Sequence, residues 1–349
     1  MTATVKDVAK MAGVSTATVS HVVNKTRFVS EETTARVNKA IEELGYYPNM
    51  LVSSLRNKRS YTIGLVMPSI SNETFGLLAE TIQNMLFRSG YNIIICTTSY
   101  DLDIEEEAFN TLIRKKADAI IAIPSGHEGK KLKEIKGMGI PIVVVDRVIP
   151  DFPVDTVRVD NVTGAYEAIK YLIKLGHKSI GYIDRKVDQS HSLEQKLGYQ
   201  KALDEFGIPI DPSNIIRADG YDYLAGTNAV KNLLQKKPQL TAIFAYYDIV
   251  AMGAMRGIQD MGYSVPNDFS IIGYDGMPFT KVSWPRLTTV SFPVYKIAKA
   301  ACDLLIKRIE SDTDLIEKVE DIVIEPILIV QESTSSPRTN LKTIREGAK

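Results

Sequence analysis

The chain has 349 residues, 44% hydrophobic and 24% charged, with 42 basic and 42 acidic side chains for a formal net charge of zero. That length allows two or three domains with sizeable cores, and the balance excludes a uniformly basic nucleic-acid binder and a disordered or fibrous chain. No run of about 18 apolar residues suggests a membrane span, and the N-terminus lacks an apolar signal core, so the expected location is the cytoplasm. Cys96 and Cys302 are the only cysteines. They read as small buried hydrophobes, without a disulfide or metal framework. Charge is unevenly spread: residues 1–60 hold nine Lys or Arg against five Asp or Glu, and the remainder holds 33 against 37. A basic module on an acidic body concentrates attraction for phosphate at one end.

The first 24 residues read as two short helices around a tight turn. Thr4 caps the first, with Asp7 three residues on in a capping-box pattern. Gly13 supplies the left-handed turn, and Ser15 caps the second helix. Val8, Ala9, Ala12 and Val14 can pack on Val19, Val22 and Val23, which leaves Thr16, Ala17, Thr18, Ser20 and His21 on the opposite face. Those side chains are short, with no carboxylate, as a helix lying in a DNA major groove requires. An ordinary helical hairpin is the alternative on this stretch alone. A third helix, capped by Ser30 and stopped at Gly45, supplies Val37, Ala40, Ile41 and Leu44 to the same small core.

Residues 49–60 are basic, with Met50, Leu51, Val52 and Leu55 and no core to join. They read either as a plain tether or as a short helix that orders on DNA. In the second case Leu55 wedges between base steps of the minor groove while Arg56 holds phosphate. From Tyr61 strands and helices alternate. Strands are expected near 62–67, 91–97, 118–123 and 141–146, with helices near 75–89, 103–116 and 129–137. The pattern then restarts, with strands near 178–184, 214–217, 241–245 and 269–273 and helices near 161–175, 193–206, 223–236 and 249–261. A helix near 293–310 and a strand run over 319–329 finish the chain. Continuous apolar strands between helices indicate two parallel sheets, each covered on both faces.

In such sheets ligands bind beyond the carboxyl ends of the strands. The residues there are Phe75, Asp146, Arg147, the 184–191 loop, Tyr221, Tyr247, Asp248 and Asp275. Carboxylates that accept from hydroxyls, with aromatic rings beside them, suit a neutral polyol. Asp248 could equally be a helix cap, and Tyr246 and Tyr247 could be packing. Enzyme chemistry finds little support: no G-x-G-x-x-G follows the first strand, no Walker A motif or metal-spaced His pair is present, and Gly126–Lys131 lacks phosphate-loop spacing. No cofactor or metal is expected. A solute receptor for a transporter is the third alternative, disfavoured by the DNA-type front.

The stretch Ser15–Ser30 strongly resembles the LacI/GalR family, in look nearest the purine and ribose repressors. So do Asp7-Val8-Ala9, Gly45-Tyr46-Tyr47-Pro48-Asn49, Gly176-His177, Val265-Pro266-Asn267-Asp268, Ile272-Gly273-Tyr274-Asp275 and Leu287-Thr288-Thr289-Val290. The resemblance covers nearly the whole chain. It implies a dimeric transcription regulator, a repressor, whose three-helix head stands before a periplasmic-binding-protein-like α/β core of two doubly wound parallel-sheet subdomains. Thr16, Ala17 and His21 would then face base edges; Ser15, Thr18 and Asn24 would contact phosphates; Leu55 would be the hinge wedge; and Thr4 is counted with them among the DNA-binding residues. Val52 and Ser53 replace a frequent Ala-Arg pair of the family's hinge.

In the core, Asp146-Arg147 resembles the ribose-contacting pair of ribose-binding proteins. Gln189, with His191 close by, stands where the family's cleft arginine is expected, Tyr247 where Asn or Gly is common, and Phe292 where Gln is common. The implied pocket is more aromatic and less cationic than a purine site and fits a pentose or other neutral sugar. The expected divisions are a head over 1–48, a hinge over 49–60, an N-terminal subdomain over 61–160 and 291–318, a C-terminal subdomain over 161–290 and 319–335, and a polar tail over 336–349. The expected partners are double-stranded operator DNA with a near-palindromic site, a sugar-like effector controlling a carbohydrate-utilisation operon, and a second copy of the chain. A protein co-regulator is left open.

Overall fold

A computed structural model describes residues 3–24, 27–46, 59–126, 129–150, 152–185, 190–311 and 318–338. The chain divides into a unit ending at Tyr61 and a unit beginning at Thr62. Among the described residues no helix is long and apolar enough to cross a membrane.

The first unit holds α1 (Val5–Ala12), α2 (Thr16–Asn24) and α3 (Glu31–Leu44). Thr4 and Asp7 form a reciprocal box: the Thr4 amide donates to the Asp7 carboxylate at 2.8 Å, and the Asp7 amide donates to the Thr4 hydroxyl at 3.4 Å. Gly13 turns the chain at φ +66°, a conformation a side chain would penalise. The amide of Thr18 donates to Ser15 Oγ at 3.0 Å, which caps α2. Val8, Ala9, Ala12, Val19, Val37 and Ala40 form the buried core, with Val14, Val22, Val23, Ile41 and Leu44 packed around it. The apolar spacing of the three helices therefore closes one small core.

In the second unit β1 (Thr62–Met67), β2 (Asn92–Thr97), β3 (Ala119–Ala122), β4 (Ile142–Val145) and β5 (Asp155–Val159) alternate with α4 (Glu73–Arg88), α5 (Leu102–Arg114) and α6 (Lys130–Gly137). The chain then crosses into α7 (Asn161–Lys174), β6 (Ile180–Arg185), α8 (Ser190–Glu205), β7 (Ile215–Ala218), α9 (Tyr223–Lys236), β8 (Ala242–Ala245), α10 (Asp248–Asp260), β9 (Ser270–Asp275) and β10 (Thr288–Ser291). It returns as α11 (Val294–Glu310), which packs with α4 against the first sheet, and ends in β11 (Asp321–Ile324) and β12 (Ile327–Ile329). The sheet orders are β11-β5-β4-β3-β1-β2 and β12-β10-β9-β8-β6-β7. Every pairing is parallel except β10 with β12. β3, β4 and β8 are buried at every residue, the burial expected of central strands covered on both faces.

Four expectations change. The strand run over 319–329 is two strands broken at Glu325-Pro326, and β11 pairs with β5 of the first lobe, so 319–335 is not one piece of the second lobe. Arg158 fastens that pairing, its guanidinium bonded to Asp321 at 2.9 Å. Strands β5 and β10 are added; their polar sequences, Asp-Thr-Val-Arg-Val and Thr-Thr-Val-Ser, give no apolar run. Fixed packing extends past 335: Arg338 lies over the Phe269 ring at 4.5 Å and donates to the Pro238 carbonyl at 3.2 Å. The part of the expected tail over 339–349 lies outside the described residues. Finally, Cys302 is buried but Cys96 only half-buried, because β2 is a sheet edge.

Candidate functional site

Two surfaces carry the residues that the sequence singles out. In the head, Thr4, Ser15, Thr16 and Ala17 are exposed, and Thr18 and His21 are partly so. The capping demands of α2 account for Ser15 and Thr18, whose hydroxyls lie 2.9 Å apart. Thr16, Ala17 and His21 lie in α2 outside the buried core. Asn24 is the last residue of that helix, while Leu55 and Arg56 lie outside the described residues. His21→Ala is expected to change the ranking of operator variants by about 1–3 kcal/mol at one base position. Binding titrations on an operator library check this; a uniform loss across the library instead assigns His21 to phosphate.

In the core the lobes meet beyond the carboxyl ends of their strands. Asn72, Thr74, Phe75 and Asp146 from the first lobe, Asn161, Gln195, Tyr247, Tyr274 and Asp275 from the second, and Phe292 from the crossover line one cavity. Its free volume is about 20 Å³, room for about one water. Of the residues expected there, Phe75, Asp146, Tyr247, Asp275 and Phe292 are brought together. Thr74 Oγ1 donates to Asp275 Oδ2 at 3.1 Å across the cleft. On the far wall Tyr274 Oη donates to Asn161 Oδ1 at 2.9 Å, and Asn161 Nδ2 donates to Glu194 at 2.9 Å.

Both cavity carboxylates stand on strained backbone: Asp146 has φ +58° and Asp275 φ +115°. Non-glycine residues persist there only where the surroundings over-determine them, and such residues cluster at functional sites. Burial raises the Asp146 carboxyl to about 6 despite the neighbouring Arg147 guanidinium. Burial, with Asp248 and Asp146 nearby, holds the Asp275 carboxyl well above its ordinary range.

Three expected residues do not line the cavity. Arg147 is buried beside Asp146, with Nη1 3.5 Å from the Asp146 carboxylate. Tyr221 accepts from Arg185 Nε at 2.9 Å. Asp248 lies beneath the site, accepting from Thr289 Oγ1 at 2.5 Å and from the Met277 amide at 2.8 Å; it anchors the segment that follows Asp275. His191 lies in α8, and Gln189 lies outside the described residues. Among the described residues the cavity lining carries no lysine or arginine, and the nearby guanidiniums stand behind it. Arg185, the last residue of β6, is buried in addition to Arg147. Arg185 stands one residue beyond the expected strand end, within the 184–191 stretch expected at the cleft, and ends β6 itself. Asn72, Thr74, Asn161, Gln195 and Tyr274 were also missed. Asn72 and Thr74 flank Phe75 closely enough in sequence to have been found with it, whereas Gln195 sits on a helix face that periodicity does not assign to a ligand.

Burial raises the Asp248 carboxyl to about 7, against 3.8 for an ordinary aspartate. The folded chain therefore holds this proton more tightly than the unfolded one. The stability it contributes is full below about pH 4 and is lost as pH rises through about 7, by at most about 1.4 kcal/mol per pH unit. Between pH 5 and 8, Asp248→Asn should lose less stability than the parent, as read from urea midpoints at each pH.

Comparison with known proteins matches each of the two units to a family model. The family described as bacterial regulatory proteins, lacI family, matches residues 4–49. The family described as periplasmic binding proteins and sugar binding domain of LacI family matches residues 60–328. The HTH-type transcriptional repressor PurR of Aliivibrio salmonicida is 36% identical over 310 residues, spanning 88% of this chain and 92% of its own. The transcriptional regulator CelR in complex with cellobiose superposes with a TM-score of 0.71 at 28% identity, over 95% of this chain and 99% of its own. A LacI family transcriptional regulator from Enterococcus faecium with bound ribose gives 0.71 at 28% identity, over 79% of this chain and all of its own.

Proposed function

As a member of the LacI family of bacterial regulatory proteins, this chain is a DNA-binding transcriptional repressor with a ligand-binding core, and we propose that a small neutral sugar, a pentose or one of similar size, is its effector. The observation that carries the reading is the cavity itself. Asp146 and Asp275 can accept from hydroxyls, while Phe75, Tyr247 and Phe292 offer apolar faces to C–H groups. The related regulators with bound cellobiose and ribose support a carbohydrate.

We further propose that two copies bind a near-palindromic operator of a carbohydrate-utilisation operon in the cytoplasm, with a recognition helix in each of two successive major grooves. Large apolar side chains exposed on the core, among them Leu77, Tyr223, Leu224, Val282 and Trp284, support pairing through that unit. The effector then shifts the spacing of the lobes and, through the hinge, the grip on DNA, a coupling of about 1–3 kcal/mol.

Thermal-shift screening of pentoses, hexoses, nucleosides and purines tests the effector. A sugar should raise the melting temperature, as selective binding to the folded state requires, and should change operator affinity. Stabilisation by purines alone overturns the sugar reading. Leu55→Ala should weaken operator binding and reduce DNA bending; unchanged affinity and bending would sink the wedge role.

A further inference from the structure

The loop after β2 carries two consecutive non-glycine residues in the left-handed region, Ser99 at φ +53° and Tyr100 at φ +63°. Local propensity disfavours that pair, so the surroundings must impose it. They do so on both flanks. The Ser99 amide donates to the Pro68 carbonyl at 2.8 Å, and the Asp101 amide to the Thr98 carbonyl at 2.9 Å. Asp101 is itself held as the cap of α5, accepting from the amides of Asp103 and Ile104 at 2.9 and 3.0 Å. Thr98 Oγ1 lies 2.8 Å from Ser125 Oγ, whose amide donates to the buried Glu105. All of these partners belong to the first lobe.

The ring that this loop presents packs on the second lobe. Tyr100 stacks on Tyr221, with centroids 5.7 Å apart and planes inclined by 15°. Arg185 completes the group: its guanidinium carbon lies 4.2 Å from the Tyr221 centroid and 5.6 Å from that of Tyr100. Arg185 is only 1% exposed, and a desolvated guanidinium is drawn to aromatic faces more strongly than a hydrated one. Neither tyrosine lines the cavity, nor does Arg185. With about one water's worth of space inside, a sugar can enter only when the lobes part. Parting them must break this stack.

We propose that Tyr100 is a clasp. Delivered across the cleft by its strained loop, it closes on the Arg185–Tyr221 pair and sets the balance between open and closed core, without touching the ligand. Its meaning as a gate for the effector rests on the function proposed above, but the clasp can be tested with no ligand at all.

The experiment places spin labels at Glu106→Cys on α5 and Leu197→Cys on α8 in the full chain, with Cys96 and Cys302 replaced by Ser and Ala, and measures their separation by pulsed electron resonance. Both labelled positions are exposed. The parent, mixed with excess unlabelled chain so that each pair of copies carries a single labelled chain, should give one narrow distance distribution. Tyr100→Ala should lengthen and broaden it, as lobe opening about a hinge requires. Tyr100→Phe, which keeps the ring, should leave it narrow. Should Tyr100→Ala fail to fold by circular dichroism, Tyr221→Leu breaks the same stack from the other lobe and should give the same broadening. A parent-like distribution in the folded alanine variant, or in Tyr221→Leu, overturns the clasp, as does equal opening by Tyr100→Phe. Because the readout contains no sugar, an error in the proposed effector leaves it unaffected.

Discussion

Asp275→Ala is expected to remove the response to the effector while operator affinity without ligand stays within about twofold of the parent. Asp275 ends β9 at the centre of the second sheet, with its carboxylate on the cavity wall and Thr74 of the opposite lobe donating to it. A ligand hydroxyl bonded to a buried carboxylate is worth about 1.5–3 kcal/mol, and truncating the acceptor also leaves the ligand's donor unpaired. The combined cost predicts a loss of ligand affinity of a hundredfold or more. Asp275→Asn tests the charge separately, since its amide oxygen can still accept from Thr74. Operator binding should persist because the head has its own core, built on Val8, Val19 and Val37. Calorimetric titration with the stabilising sugar and operator anisotropy with and without it decide the matter. A variant that responds like the parent removes Asp275 from the ligand site.

Gly253→Val is expected to destabilise the core by about 3 kcal/mol or more, in the class of severe overpacking. Helices α9 and α10 approach so closely at Gly253 and Gly226 that a side chain would meet backbone. A Cβ on Gly253 would lie 1.9 Å from the Tyr223 carbonyl oxygen, and one on Gly226 would lie 2.1 Å from that of Val250. Backbone cannot yield as a flexible side chain can, so the helix pair must move apart. For a unit of this size the melting temperature should fall by roughly 6–12 °C. Gly137→Ala is the control: α6 has open space around that position, and the substitution should be neutral or slightly stabilising. Equal melting temperatures for the two variants would contradict the close crossing. The crossing also fixes the start of α9, two residues after Tyr221, so milder changes at Gly253 should disturb the cleft before they unfold it.

Much of the molecule is written in short-range signals. Thr4, Asp7, Gly13 and Ser15 define the two front helices because a cap or a left-handed turn is decided within about four residues. The residues at the carboxyl ends of the strands could be named as a group because a parallel sheet places its crevice there. Phe75, Asp146, Tyr247, Asp275 and Phe292 do share one cavity. Strands β5 and β10 escaped notice because their stability comes from neighbours in the sheet, not from an apolar run of their own.

What remained was settled by segments far apart in sequence. Thr74 meets Asp275 across 201 positions, β11 joins the first sheet through Arg158 and Asp321, and Asp248 turns away from the cavity because Thr289 and the Met277 amide hold it underneath. Composition and spacing thus determined the head, the two-lobed α/β core and the position of the crevice. Tertiary structure alone decided which polar side chains line the cavity, which brace the wall behind it, and that Tyr100 reaches Arg185. Those outcomes depend on strand order and on lobe closure, and neither leaves a local trace in the chain.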